Sequence, residues 1–232
     1  MIGTLINLAT VLVGGFLGLL FGSRVPDRIK ETITAGLGLF TAAIGIKMFL
    51  ETQNAIIVLG SLLIGGLLGE WWKIEAGLQC LGEWLERKFN RGRSDANLFV
   101  RGFLTASLLF CVGPMAILGS IQDGLTGNYE LLAIKAVLDG FAALAFASTL
   151  GIGVLFSVLP VLLYQGGISL LAAQMNSVMT EPMMAEMSAV GGILLMGIAI
   201  SSLLELKKIR VGNFLPALVI APLIVWVVGV LK

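Results

Sequence analysis

The chain has 232 residues, 57% of them hydrophobic and only 12% charged, with a net charge of +1 and a mean hydropathy of +0.99. A soluble domain carries about a quarter charged residues, so this composition excludes a water-facing globule and points to an integral membrane protein. The near-zero charge excludes a nucleic-acid surface, and the absence of histidine removes imidazole acid–base chemistry and most zinc and haem sites.

Eight apolar spans are expected, at 2–22, 33–50, 54–72, 97–119, 130–149, 151–172, 187–204 and 213–231. Each is about long enough to cross a hydrocarbon core of roughly 30 Å. The first, IGTLINLATVLVGGFLGLLFG, has no basic residue before it and is too long for a signal core, so it reads as a retained helix. Gly14, Gly18 and Gly22 are spaced four apart, as are Gly65 and Gly69. Such faces let helices approach closely, within one subunit or between subunits of a homo-oligomer; a pore lining is the other reading. Lys47 with Glu51, and Glu70, Trp71, Trp72 and Lys73, read as interface anchors. After the third span, Ile74, Leu78, Leu81, Leu85 and Phe89 recur at helical spacing with Glu83, Glu86, Arg87 and Lys88 between them. Residues 74–92 are therefore expected to form an amphipathic helix on the membrane surface, joining spans or meeting a lipid or partner.

Lysine and arginine set the orientation. Arg24, Arg28 and Lys30 follow span 1; Lys73, Arg87, Lys88, Arg91, Arg93 and Arg101 follow span 3; Lys207, Lys208 and Arg210 follow span 7. The loops ETQN, SIQDGLTGNYE and QMNSVMTEP hold no base. In an eight-span scheme all basic loops share one face, expected to be cytoplasmic, with both termini outside.

The whole chain reads as one polytopic membrane domain with an internal repeat over 1–72 and 151–232. VGGFLGLL resembles QGGISLLA, Pro26 matches Pro182, Gly36 matches Gly192, and Asn54 and Asn213 each open the next span. Spans 1–3 and 6–8 start five helices apart, so the repeats would be inverted, a recurring construction in secondary transporters.

Asp139 lies nine residues into span 5, about 14 Å deep at 1.5 Å per residue. A charged aspartate there costs roughly 2.5–3.5 kcal/mol on insertion scales. Two readings stand: a tie between helices, neutral or paired with Lys135 four residues earlier, or a site for substrate, cation or proton. Lys135 could also reach out to the interface. Gly113 and Pro114 interrupt span 4, and freed backbone groups are common coordinating atoms in transporters. Pro160 breaks span 6, just before the polar Tyr164 and Gln165. Asp123, Asn128 and Glu130 are expected at the outer end, as a solvated loop or an acidic vestibule. Cys80 and Cys111 are far apart and form no metal or redox motif. No nucleophile–base pair, phosphate loop or H-E-x-x-H stands in the sequence, so neither enzyme activity nor a cofactor is expected.

CVGPMAILGSIQDGL, KAVLDGFAALAFASTLGIGVLFS, YQGGISLLA and NFLPALVIAPL together resemble a bacterial inner-membrane family known as domain of unknown function 554. The resemblance runs nearly end to end and is most specific at GPMAILGSIQDG and YQG. It implies a multi-spanning inner-membrane protein, often described as a transporter, and supplies no substrate. Its motif residues fall on Gly113, Pro114, Gln122, Asp123, Lys135, Asp139, Tyr164 and Gln165. The expectation is a small secondary transporter for an unknown small solute or ion, bound near the midplane among spans 4–6. The alternative is an oligomeric scaffold or passive channel.

Overall fold

A computed structural model describes residues 1–22, 26–89, 96–112, 114–173 and 179–230. No strand occurs among the described residues. The helices are α1 (Ile2–Gly22), α2 (Asp27–Phe49), α3 (Ala55–Trp72), α4 (Ile74–Phe89), α5 (Ala96–Cys111), α6 (Pro114–Thr126), α7 (Glu130–Leu150), α8 (Val158–Leu170), α9 (Glu181–Ile198) and α10 (Ala217–Val230). A 3-10 stretch, Ile152–Ser157, leads into α8, and another, Val211–Phe214, precedes α10. α9 continues as a π turn, Ala199–Leu203.

The burial pattern is that of a lipid-facing protein. On α1, Leu5, Val13, Phe16 and Phe21 are exposed, while Thr4, Asn7 and five glycines are buried. In hydrocarbon, apolar side chains gain little from being hidden, and small residues take the helix–helix contacts.

Two compact units form: Met1–Ala35 with Gln79–Ser177, and Gly36–Leu78 with Val178–Lys232. In the first, α1 lies along α7. A Cβ at Gly14 would strike the Gly140 carbonyl, one at Gly18 the Leu144 carbonyl, and one at Gly22 the Ser148 carbonyl. The constant register makes the two helices parallel. These glycines are therefore filled from within the chain.

The same unit shows how the α5–α6 pair runs beside α7. α5 and α6 are inclined by 61°. Gly102 of α5 abuts Leu150, and Gly153 abuts Phe99, so α5 starts beside the end of α7. Near the end of α6, Asp123 bonds Gly3, which itself abuts Leu132 near the start of α7. The pair thus runs the length of α7, and counted as one span beside seven unbroken candidates it brings the candidate spans among the described residues to eight. Pro114 begins α6, where a missing N–H leaves no helical bond unmade. The helix runs on to Thr126 rather than ending at 119, because Asp123 finds a donor in another helix instead of water. Leu85 of α4 packs with Phe99 and Phe103, while Leu81 and Trp84 stay exposed and Lys88 lies 4.8 Å over the Trp84 ring. Residues 90–92 of the expected surface helix, the bases Arg24, Arg91 and Arg93, and 174–178 of the loop before α9 lie outside the described residues.

In the second unit α2 and α9 run antiparallel, with Gly45 and Gly192 each closed by the other's carbonyl. α3 and α10 do the same, Gly65 against Ala217 and Gly69 against Asn213. Glu186, fully buried on α9, accepts bonds from the Gln53 and Asn54 amides, both 2.8 Å, and from Thr52 Oγ1 at 2.6 Å. It thereby caps the start of α3. Glu51 accepts from Ser188 at 2.8 Å. Asn213 ties the other end: its oxygen accepts from the Glu75 amide at 2.7 Å, and its Nδ2 donates to Glu70, which also pairs with Arg210 at 2.6 Å.

Candidate functional site

The polar centre belongs to the first unit. Lys135 and Asp139 stand one turn apart on α7, so helix geometry alone brings them together, and Lys135 Nζ donates to Asp139 Oδ2. Asn7 of α1 donates from Nδ2 to the same Asp139 oxygen at 3.0 Å and to Gln165 Oε1 of α8 at 3.3 Å. Asn7 and Gln165 are fully buried, and Lys135 and Asp139 nearly so.

The parallel packing of α1 and α7 is what delivers Asn7 to Asp139. Asn7 is about 8 Å and Asp139 about 14 Å from the starts of their helices. The centre therefore sits between a quarter and halfway through a core of roughly 30 Å. A paired lysine and aspartate present no net charge to the hydrocarbon, which offsets much of the cost of placing either there alone. The network also leaves groups over. Asn7 Oδ1 and Gln165 Nε2 have no protein partner, and only one of the three Lys135 donors goes to Asp139. An unused acceptor and unused donors beside an ion pair can hold a small polar solute or ion, or exchange a proton.

Of the residues expected from sequence, the structure brings together Lys135, Asp139 and Gln165. Asp123 is not part of an exposed outer loop. It is 3% exposed inside α6 and receives the Gly3 amide at 3.0 Å, with the Met1 nitrogen 3.1 Å from its other oxygen. An acid at a helix start is favoured by the N-terminal dipole. Gln122, on the opposite side of that turn, is exposed, and its carbonyl accepts from Thr126 at 2.9 Å. Tyr164 is half-buried, and no hydrogen bond joins it to the centre among the described residues. Pro114 heads α6, and Gly113 lies outside the described residues. Glu130 and Asn128 are exposed, and Asn128 accepts from the Glu130 amide at 3.0 Å, holding the start of α7. Asn7 is the functional candidate that sequence reasoning missed. The available signal was a carboxamide in the otherwise apolar INLATVLV, since an amide in a membrane helix must find a partner.

Membrane-length apolar helices and, within the first unit, a buried ion pair with two carboxamides define a polytopic helical membrane protein with a polar centre. The chain belongs to the family described as protein of unknown function DUF554, whose profile matches residues 2–226. It is 34% identical over 222 residues to the uncharacterized protein YqgA of Escherichia coli, covering 95% of this chain and 94% of that one. It is 33% identical over 232 residues to the uncharacterized membrane protein YdfK of Bacillus subtilis, covering 98% and 97%. A shorter stretch of 130 residues is 29% identical to the phospho-N-acetylmuramoyl-pentapeptide-transferase of Micrococcus luteus, spanning 52% of this chain and 35% of that enzyme. No solved structure matches the chain.

Proposed function

We propose that the protein is a small secondary transporter whose substrate or coupling ion binds at Asn7, Lys135, Asp139 and Gln165. One observation carries the reading: side chains from three helices converge on a buried carboxylate and still leave an acceptor and a donor unused. A purely structural tie would gain by pairing them all. Asp139 serves as cation ligand or proton carrier, Lys135 as the charge it is exchanged against, and the two carboxamides fix orientation. No enzymatic step is part of this reading.

Alternating access is assigned to the inverted repeat of 1–72 and 151–232. The packing of matched helices supports it. Span 1 meets span 6 with Gly15 on Leu155 and Gly166 on Met1, span 2 meets span 7 through Gly45 and Gly192, and span 3 meets span 8 through Gly65 and Ala217. Each matched pair is in contact and antiparallel, as inverted topology requires. The scaffold reading drew on the Gly14, Gly18 and Gly22 face, which α7 occupies; a homo-oligomer needs another surface. The test is a binding screen by thermal unfolding, in which a ligand that stabilises wild type should not stabilise Asn7→Ala or Gln165→Ala. A ligand acting equally on all three proteins contradicts the site.

A further inference from the structure

Hydroxyls in the first unit behave differently at its two ends. Near the end of α7 and in the stretch after it, Ser148 bonds the Ala145 carbonyl at 2.7 Å, Thr149 the Phe146 carbonyl at 3.2 Å, and Ser157 the Val154 carbonyl at 2.7 Å. Each is satisfied by its own helical backbone, the usual solution inside a membrane. Toward the end where α1 and α7 begin, Thr10 and Thr126 still bond their own helix carbonyls, both at 2.9 Å, but Thr4 Oγ1 and Ser120 Oγ, both on fully buried residues, meet no protein partner. Asn7 Oδ1 and Gln165 Nε2 share that condition.

Helix contacts place these four groups along one seam. Asp123 of α6 bonds Gly3, the neighbour of Thr4. Ser120 lies one turn deeper on α6, and its carbonyl accepts from Ser169 of α8 at 3.0 Å. Gln165 is one turn deeper on α8, Asn7 one turn deeper on α1, and Asn7 joins Gln165 to Asp139. The groups on α1 and α8 thus lead inward to Asp139 through Asn7, with Ser120 of α6 held beside α8. Thr105, midway along α5, is a fifth such group, and no contact places it on the seam. Past Asp139 the character changes: at Gly14, Gly18 and Gly22 the backbones of α1 and α7 leave no room for a methyl group.

We propose that this seam is a water-filled entry path, leading to Asp139 from the face where α1 and α7 begin and closed beyond it by the α1–α7 glycine contact. Unpaired polar groups at such depth are what water and small hydrogen-bonding solutes satisfy. The inference rests on the reading of Asp139 as the binding group and adds the face from which that group is reached.

The test uses full-length protein in sealed membrane vesicles, with Cys80→Ser and Cys111→Ala removing the native thiols. Single variants Ser120→Cys and Ser169→Cys probe the seam, Asn128→Cys in the exposed turn before α7 serves as reference, and Ser157→Cys is the buried control. Each variant is first shown to elute as folded protein. A small membrane-impermeant methanethiosulfonate should label both seam positions from the side that labels Asn128→Cys and from no other, and leave Ser157→Cys unlabelled from either side. Loss of labelling at both seam positions, or equal labelling at Ser157→Cys, overturns the path. Labelling does not depend on what Asp139 does. If the seam labels and Asp139→Asn binds ligand as wild type does, the path stands and the site reading fails.

Discussion

Asp139 and Lys135 illustrate how much a single spacing can reveal. Four residues on a helix put the two heads together, and the pair was legible from that alone. Asn7 was not, because its partner lies 132 residues away in sequence and only helix packing joins them. The bonding of three acids hid for the same reason. Asp123, Glu186 and Glu75 each accept from a backbone amide at the start of a different helical segment, near Gly3, Gln53 and Gly212 respectively. Capping rules read from sequence look for the cap beside its own helix, and these caps arrive from elsewhere. Two outcomes follow. Asp139→Asn strands a buried ammonium and should cost about 3–5 kcal/mol, most of it regained in the double variant Lys135→Met with Asp139→Leu; thermal unfolding in detergent reads this, and additive losses contradict a coupled pair. Glu186→Ala removes the acceptor of three hydrogen bonds and should cost about 1–3 kcal/mol, seen as a lowered midpoint.

Among the elements, the four-residue glycine spacing predicted close packing and could not say against what. The structure assigns Gly14, Gly18 and Gly22 to α7 of the same chain. Gly18→Leu should therefore abolish the folded monomer rather than dissociate a complex, since the new side chain meets backbone that cannot move aside. Gly36, with nothing near its Cβ position, should accept alanine and gain roughly 0.5–1 kcal/mol of helix propensity. Size-exclusion chromatography with light scattering separates these cases; a stable monomer of Gly18→Leu contradicts the packing. The fourth span was read correctly as interrupted near Pro114 and wrongly as ending at 119. Gln122 and Asp123 look like loop residues to any hydropathy rule, and a buried carboxylate answered by a distant amide lies outside what such a rule can weigh.

At the scale of the molecule, the eight expected spans correspond to seven unbroken candidates and the bent α5–α6 pair, and the agreement comes from length and apolarity, which a bilayer enforces strongly. The division into two units was not legible, because each joins two segments that are separate in sequence. Orientation is a prediction of the basic loops: in intact cells an impermeant thiol reagent should modify Asn128→Cys and spare Lys208→Cys, and the reverse pattern would invert the topology.

The central claim, that Asp139 and its neighbours bind a ligand, is met most directly by one measurement. Purified wild type and the Lys135→Met, Asp139→Leu double variant, expected to keep the fold without the ion pair, are unfolded thermally against a panel of ions and small metabolites. A ligand present at a hundred times its dissociation constant stabilises the folded state by about 2.7 kcal/mol. The account predicts at least one ligand that raises the wild-type midpoint and leaves that of the double variant unmoved. A ligand that raises both alike would show that binding lies elsewhere and that the buried pair only holds helices together.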